Sequence, residues 1–177
     1  MDEHELILQE FFVEGKAREK SHVLLHITEP TTPQEEKVGY FFALAEIEGG
    51  TLEHIEHIQT MIDDLESGVY ETDSNEQKSS FETTLEYINR RGHHVLDFDG
   101  DCHIIVGTIC AGAIAFAYHG NASAQLIYQT ESGDHERIDI LAEESPNNAQ
   151  LFSAVLEGQI NPGDYFFVST PHVMPLI

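Results

Sequence analysis

The chain has 177 residues, 41% of them hydrophobic and 9% aromatic, which predicts one folded domain with a real core rather than a disordered segment. Its 32 Asp and Glu against 8 Lys and Arg give a formal charge of −24, which argues against nucleic acid and anionic lipid as partners, since both are bound through Lys and Arg. The eleven His count as neutral in that sum, so mild acid should relieve self-repulsion.

Residues 1–5 are acidic and lack the basic start of a signal peptide. Residues 5–13 and 22–28 read as strands rich in Leu, Ile, Val and Phe, and 30–36 as a polar connector. A third strand, 38–47, is apolar nearly throughout and therefore buried on both faces. A helix over 52–65 follows, with Thr51 as N-cap, an apolar stripe through Leu52, Ile55, Ile58, Met61, Ile62 and Leu65, and His54 and His57 on the outer side. After a polar loop at 71–74, a second helix over 77–91 turns Phe81, Leu85 and Ile88 inward and stops at Gly92.

The second half turns to strands. Those at 103–110 and 113–119 flank Ala111-Gly112, and 122–129 follows Gly120-Asn121, both of hairpin type. A short strand at 137–141 precedes a polar loop at 143–148. Strands at 154–160 and 165–169 then flank Asn161-Pro162-Gly163-Asp164 as a hairpin.

Cys102 and Cys110 share one strand; at ~3.3 Å per residue they are too far apart to bridge, and free thiols fit a reducing compartment. The longest apolar run, 104–118, is broken by Gly107 and Gly112 and falls short of the ~20 residues that span a bilayer. No membrane insertion by this segment and a cytoplasmic location are the expectations. Three strands, two successive helices and a meander predict an α/β (α+β) chain, a β-sandwich flanked by helices.

Ala45-Glu46-Ile47-Glu48-Gly49-Gly50 lies where the buried strand gives way to a helix. It resembles the ADGMGG signature of the PP2C (PPM-type) metal-dependent Ser/Thr phosphatases. Gly120-Asn121-Ala122 stands where that family has GDS, and residues 161–171 stand where it has PGD, an apolar strand and SDG. The likeness runs from Gly15 to Pro171. It implies a single PP2C-like domain over 1–177, of two mainly antiparallel sheets in α-β-β-α layers, shortened at the C-terminus with the last elements missing. It also implies a metal site between the sheets at one end, where two cations activate a water against a phosphate ester.

Each position of that family site is altered. Arg18 matches the phosphate-binding Arg, but Ser21-His22-Val23 replaces its acidic neighbours. Glu46 stands in the place of a metal-binding Asp with an extra methylene, and Mg²⁺ tolerates such shifts poorly. Ile47 replaces a Gly, and Ser169-Thr170-Pro171 carries no carboxylate. Glu46 as a vestigial metal ligand and Arg18 as a vestigial phosphate contact are what remains, with no catalytic residue.

The expectation is therefore a catalytically inactive pseudophosphatase without cofactor, an interaction or regulatory module for a protein partner, one of basic character being the sharper form. Two alternatives stand beside it: an active Mg²⁺- or Mn²⁺-dependent phosphoprotein phosphatase with an atypical site, or a structural N-terminal domain of a longer protein. An open sheet edge at the apolar end, Met174-Pro175-Leu176-Ile177, would favour dimerisation or pairing with another segment.

Other motifs are weaker. Asp97-x-Asp99-Gly100 resembles the nucleophile loop of haloacid-dehalogenase-type phosphatases, but no Lys follows Lys78 to neutralise the developing charge. Asp97-x-Asp99-x-Asp101 is no EF-hand, because its twelfth position is Thr108. His54-x-x-His57 and His93-His94 lack the further ligands zinc requires.

Overall fold

The computed structural model describes residues 6–11, 21–72, 78–92, 98–142 and 150–173. The chain is mixed α+β. Its strands are β1 (Ser21–Thr28), β2 (Tyr40–Glu48), β3 (Asp101–Cys110), β4 (Ala113–His119), β5 (Ser123–Gln129), β6 (His135–Asp139), β7 (Leu156–Gln159) and β8 (Tyr165–Ser169). Two helices, α1 (Leu52–Glu71) and α2 (Ser80–Arg91), separate β2 from β3. All pairings are antiparallel, in a five-stranded sheet ordered β1-β2-β3-β4-β7 and a three-stranded sheet ordered β6-β5-β8.

Strand β2 explains the layering. Phe41, Ala43, Ala45 and Ile47 point to one face and pack with Ile58, Ile62, Leu65, Phe81 and Leu85 of the helices. Phe42 points to the other, into a cluster with Ile105, Ile109, Phe116 and Ala124 that joins the two sheets. Phe166 of β8 seals that cluster, its ring 6.4 Å from Phe42 and 5.4 Å from Phe116. A strand apolar on both faces is what a layer sandwiched between two others requires.

The helix ends follow their local chemistry. Thr51 accepts from the His54 amide while the His54 ring accepts from the Thr51 amide, a reciprocal capping box. Ser79 caps α2 by accepting from Glu82 N–H. Helix α1 runs past the expected end at 65 because Gly68 faces α2: a β-carbon there would stand 2.4 Å from Thr84 Cγ2. That glycine is a packing notch, not a stop, and Val69 beyond it is fully buried.

Several expectations are corrected. Residues 6–11 form no strand, and 12–13 lie outside the described residues. Both helices cover the same face of the larger sheet, and the described residues make three layers, with no helix among them on the smaller sheet. Asn161-Pro162-Gly163-Asp164 does not close a hairpin. β7 pairs with β4 and β8 with β5, so the turn carries the chain from one sheet to the other. The strand expected at 137–141 sits at His135–Asp139. No helix among the described residues is long and apolar enough to cross a membrane.

Candidate functional site

The site lies at the C-terminal end of β2, on the face turned toward the smaller sheet. Residues paired across an antiparallel ladder share a face. Glu46 stands opposite Val23 of β1 and His103 of β3, and Glu48 opposite Ser21 and Asp101. Ser21, Glu46, Glu48 and His103 therefore converge where the apolar inter-sheet cluster ends. The turn after β8 adds Thr170, Pro171 and His172 from above.

Glu46 is the centre of this group and only 4% exposed. Its Oε1 accepts from Ser21 Oγ at 2.8 Å and lies 3.1 Å from His172 Nδ1. His172 Nδ1 also stands 3.5 Å from Glu48 Oε1, so one imidazole N–H spans both carboxylates. Burial pushes the Glu46 carboxyl up, but the Thr170 and Ser21 hydroxyls and the His172 charge outweigh it and hold the group below the usual carboxylate range. Glu46 Oε2 is shut from solvent. The Thr170 hydroxyl lies near enough to favour the anion, yet Oε2 is left without a hydrogen bond of good geometry.

His103 completes the arrangement. The Asn121 amide donates to its Nδ1 at 3.1 Å, which places the proton of the neutral ring on Nε2, 3.7 Å from Glu48 Oε1. That approach requires Gly120, whose φ is +68° and whose β-carbon would stand 2.5 Å from His103 Nδ1. The Gly-Asn turn thus orients an imidazole.

The sequence-predicted residues fare unequally. Glu46 is at the site. Arg18 lies outside the described residues. Ile47 points away, into the helix-facing core, where it is fully buried, and a β-carbon on Gly50 would stand 2.7 Å from its Cγ2. Glu48, His103 and His172 escape sequence reasoning. The two histidines occupy no recognisable spacing, whereas alternation along β2 places Glu48 on the face of Glu46.

Elsewhere, His26, Asp63 and Glu66 also bring ligand atoms within 4.8 Å of one another. Glu66 hydrogen-bonds Thr28 and lies 2.8 Å from His26 Nε2, while Gln59 occupies Asp63, so the group clamps α1 to β1. His54, expected to face solvent, is half-buried: it caps α1 and stacks on Phe98 at 4.7 Å. Of the DxDG-like loop, Asp97 lies outside the described residues, and Phe98–Gly100 leads into β3.

Two carboxylates and an imidazole nitrogen do not fit the pair of oxygen-loving cations implied by the resemblance. Mg²⁺ asks for near-octahedral oxygen at ~2.0–2.1 Å, and two such ions need more anionic ligands than Glu46 and Glu48 provide among the described residues. Comparison with family models, characterised proteins and solved structures gives no match.

Proposed function

We propose that this chain is a PP2C-like domain without phosphatase chemistry, working as an interaction or regulatory module. One observation carries the reading: the buried Glu46 carboxylate is held from within, by the Ser21 hydroxyl and the His172 ring, at the position where the resembling family gathers anions around cations. An imidazole N–H set against both carboxylates stands on the side from which a cation would approach them. Thr170-Pro171-His172 offers a hydroxyl and a ring in place of an acid.

A rival reading, an active enzyme with an atypical metal set, draws support from the convergence of Glu46, Glu48 and His172 donors within 4.8 Å. The test is calorimetric titration with Mn²⁺ and Mg²⁺ beside p-nitrophenyl phosphate turnover. The module reading expects no turnover with either ion. Metal-dependent turnover that Glu46→Ala abolishes would establish the rival.

A further inference from the structure

The two sheets are unequal, and their mismatch leaves a place for one more strand. The larger sheet ends in β1, the smaller in β8, and among the described residues neither outer edge is paired. Phe166 packs over Phe42 and Phe116, so β8 covers β2 through β4, and β1 lies beyond the rim of the smaller sheet. Register places Val23, Leu25 and Ile27 on the same inward face as Glu46, Leu44 and Phe42. Ile27 reaches the inter-sheet cluster, but Val23 is 39% and Leu25 46% exposed. They are apolar, inward-facing and uncovered.

The opening is a cleft of about 200 Å³ between β1 and β8, bordered by the consecutive residues Phe166 to Thr170, as a free strand edge would border it. Adjacent strands lie ~4.8 Å apart and packed sheets ~10 Å, so a strand hydrogen-bonded to the outer edge of β8 would lie above β1. Residues 6–11 run along the same opening without forming a strand, and leave Ile7 73% and Phe11 74% exposed. Leu6 of this segment packs against the inter-sheet cluster, while Val23 and Leu25 stay open to solvent.

We propose that β8 and β1 together form a strand-addition groove for an extended peptide with apolar side chains at alternate positions and basic ones between them. The free β8 edge supplies backbone hydrogen bonds, and Val23, Leu25 and Leu44 receive the inward side chains. The outward side chains meet solvent beside a chain of net charge −24, where Lys and Arg are favoured and Asp and Glu repelled. This inference rests on reading the chain as an interaction module and names the surface and the class of partner.

The probe is a fluorescein-labelled nonapeptide of alternating Lys and Val, followed by anisotropy and by amide exchange of the full chain. The expected result is saturable binding, with slowed exchange in residues 165–169. Binding should weaken about tenfold or more for Leu25→Lys, for a Val/Glu peptide and for a peptide with Pro at alternate positions, which cannot pair with a strand edge. Leu25 is half exposed, so its substitution leaves the core intact, and Val23→Lys provides an independent check. Absence of binding overturns the proposal. So does binding indifferent to Leu25→Lys and to Pro, which would be charge attraction alone. Protection without peptide of those amides in residues 165–169 that do not bond β5 overturns it as well, assigning the place to residues 6–11 or, if sedimentation shows a dimer, to a second copy. The phosphatase assay is scored separately: turnover with docking intact removes the module reading and keeps the groove, while a silent assay without docking removes only the groove.

Discussion

His172 Nδ1 stands 3.1 Å from Glu46 Oε1, tying the turn after β8 to the end of β2. Because Glu46 is held below its ordinary value of ~4.3, its anion stabilises the fold above that pH, and the contribution disappears as pH falls through the folded pKa. His172→Ala removes one of the groups that favour the anion. NMR titration of the Glu46 carboxyl should show an upward shift in this variant. The stability loss at pH 7 should be modest, about 0.5–1 kcal/mol, because the His172 side chain is 53% exposed and the pair is partly screened. An unmoved Glu46 titration would mean that the hydroxyls alone fix the anion.

Placing at position 47 the glycine that the resemblance would put there should harm the protein. Ile47 is fully buried among the helix-facing residues, and removing its side chain loses packing and adds backbone freedom. Ile47→Gly should cost about 3–5 kcal/mol by urea denaturation, against roughly 1 kcal/mol for Ile47→Val. Gly50→Ala tests the same contact from the other side, since its new β-carbon would meet Ile47 Cγ2 at 2.7 Å.

These residues also show what could be read in advance. Strand β2 was legible because its apolar run has no polar face, and the hairpin at Ala111-Gly112 because a tight turn demands positive φ, here +50° and +82°. Glu46 stood out as a carboxylate in that run. His103 and His172 did not, because ladder register and a turn after a distant strand bring them to Glu46, and neither leaves a local pattern. The turn residues 161–164 misled for a related reason: Asn, Pro, Gly and Asp specify a reversal but not which sheet receives the next strand. Residues 5–13 carry strand composition, but composition does not fix pairing, and the described part, 6–11, pairs with no strand.

The two thiols should react very differently. Cys102 is buried beneath the helices, and burial pushes its thiol up to about 12, leaving almost no thiolate at neutral pH. Cys110, at the far end of the same strand, is partly exposed. In the native protein DTNB should titrate one thiol promptly, identified as Cys110 by Cys110→Ser, and the second only in denaturant. Prompt release from both would place Cys102 in contact with solvent.

His119 makes the fold sensitive to mild acid. Its Nδ1 lies 2.6 Å from the Leu151 carbonyl oxygen, to which the neutral ring donates. Burial lowers the ring's pKa, and the Leu151 carbonyl opposes that lowering while the nearby charge of His103 adds to it. A histidine with a folded pKa below its unfolded value of ~6.5 binds more protons when unfolded. Its full contribution is therefore present above that pH and shrinks as pH falls through 6.5 toward the folded pKa. His119→Asn keeps an N–H donor for Leu151 and removes the titration. Between pH 7.5 and 5.5, thermal melts should show a shallower fall in Tm for His119→Asn than for the parent chain. Parallel slopes would transfer the acid sensitivity to other groups.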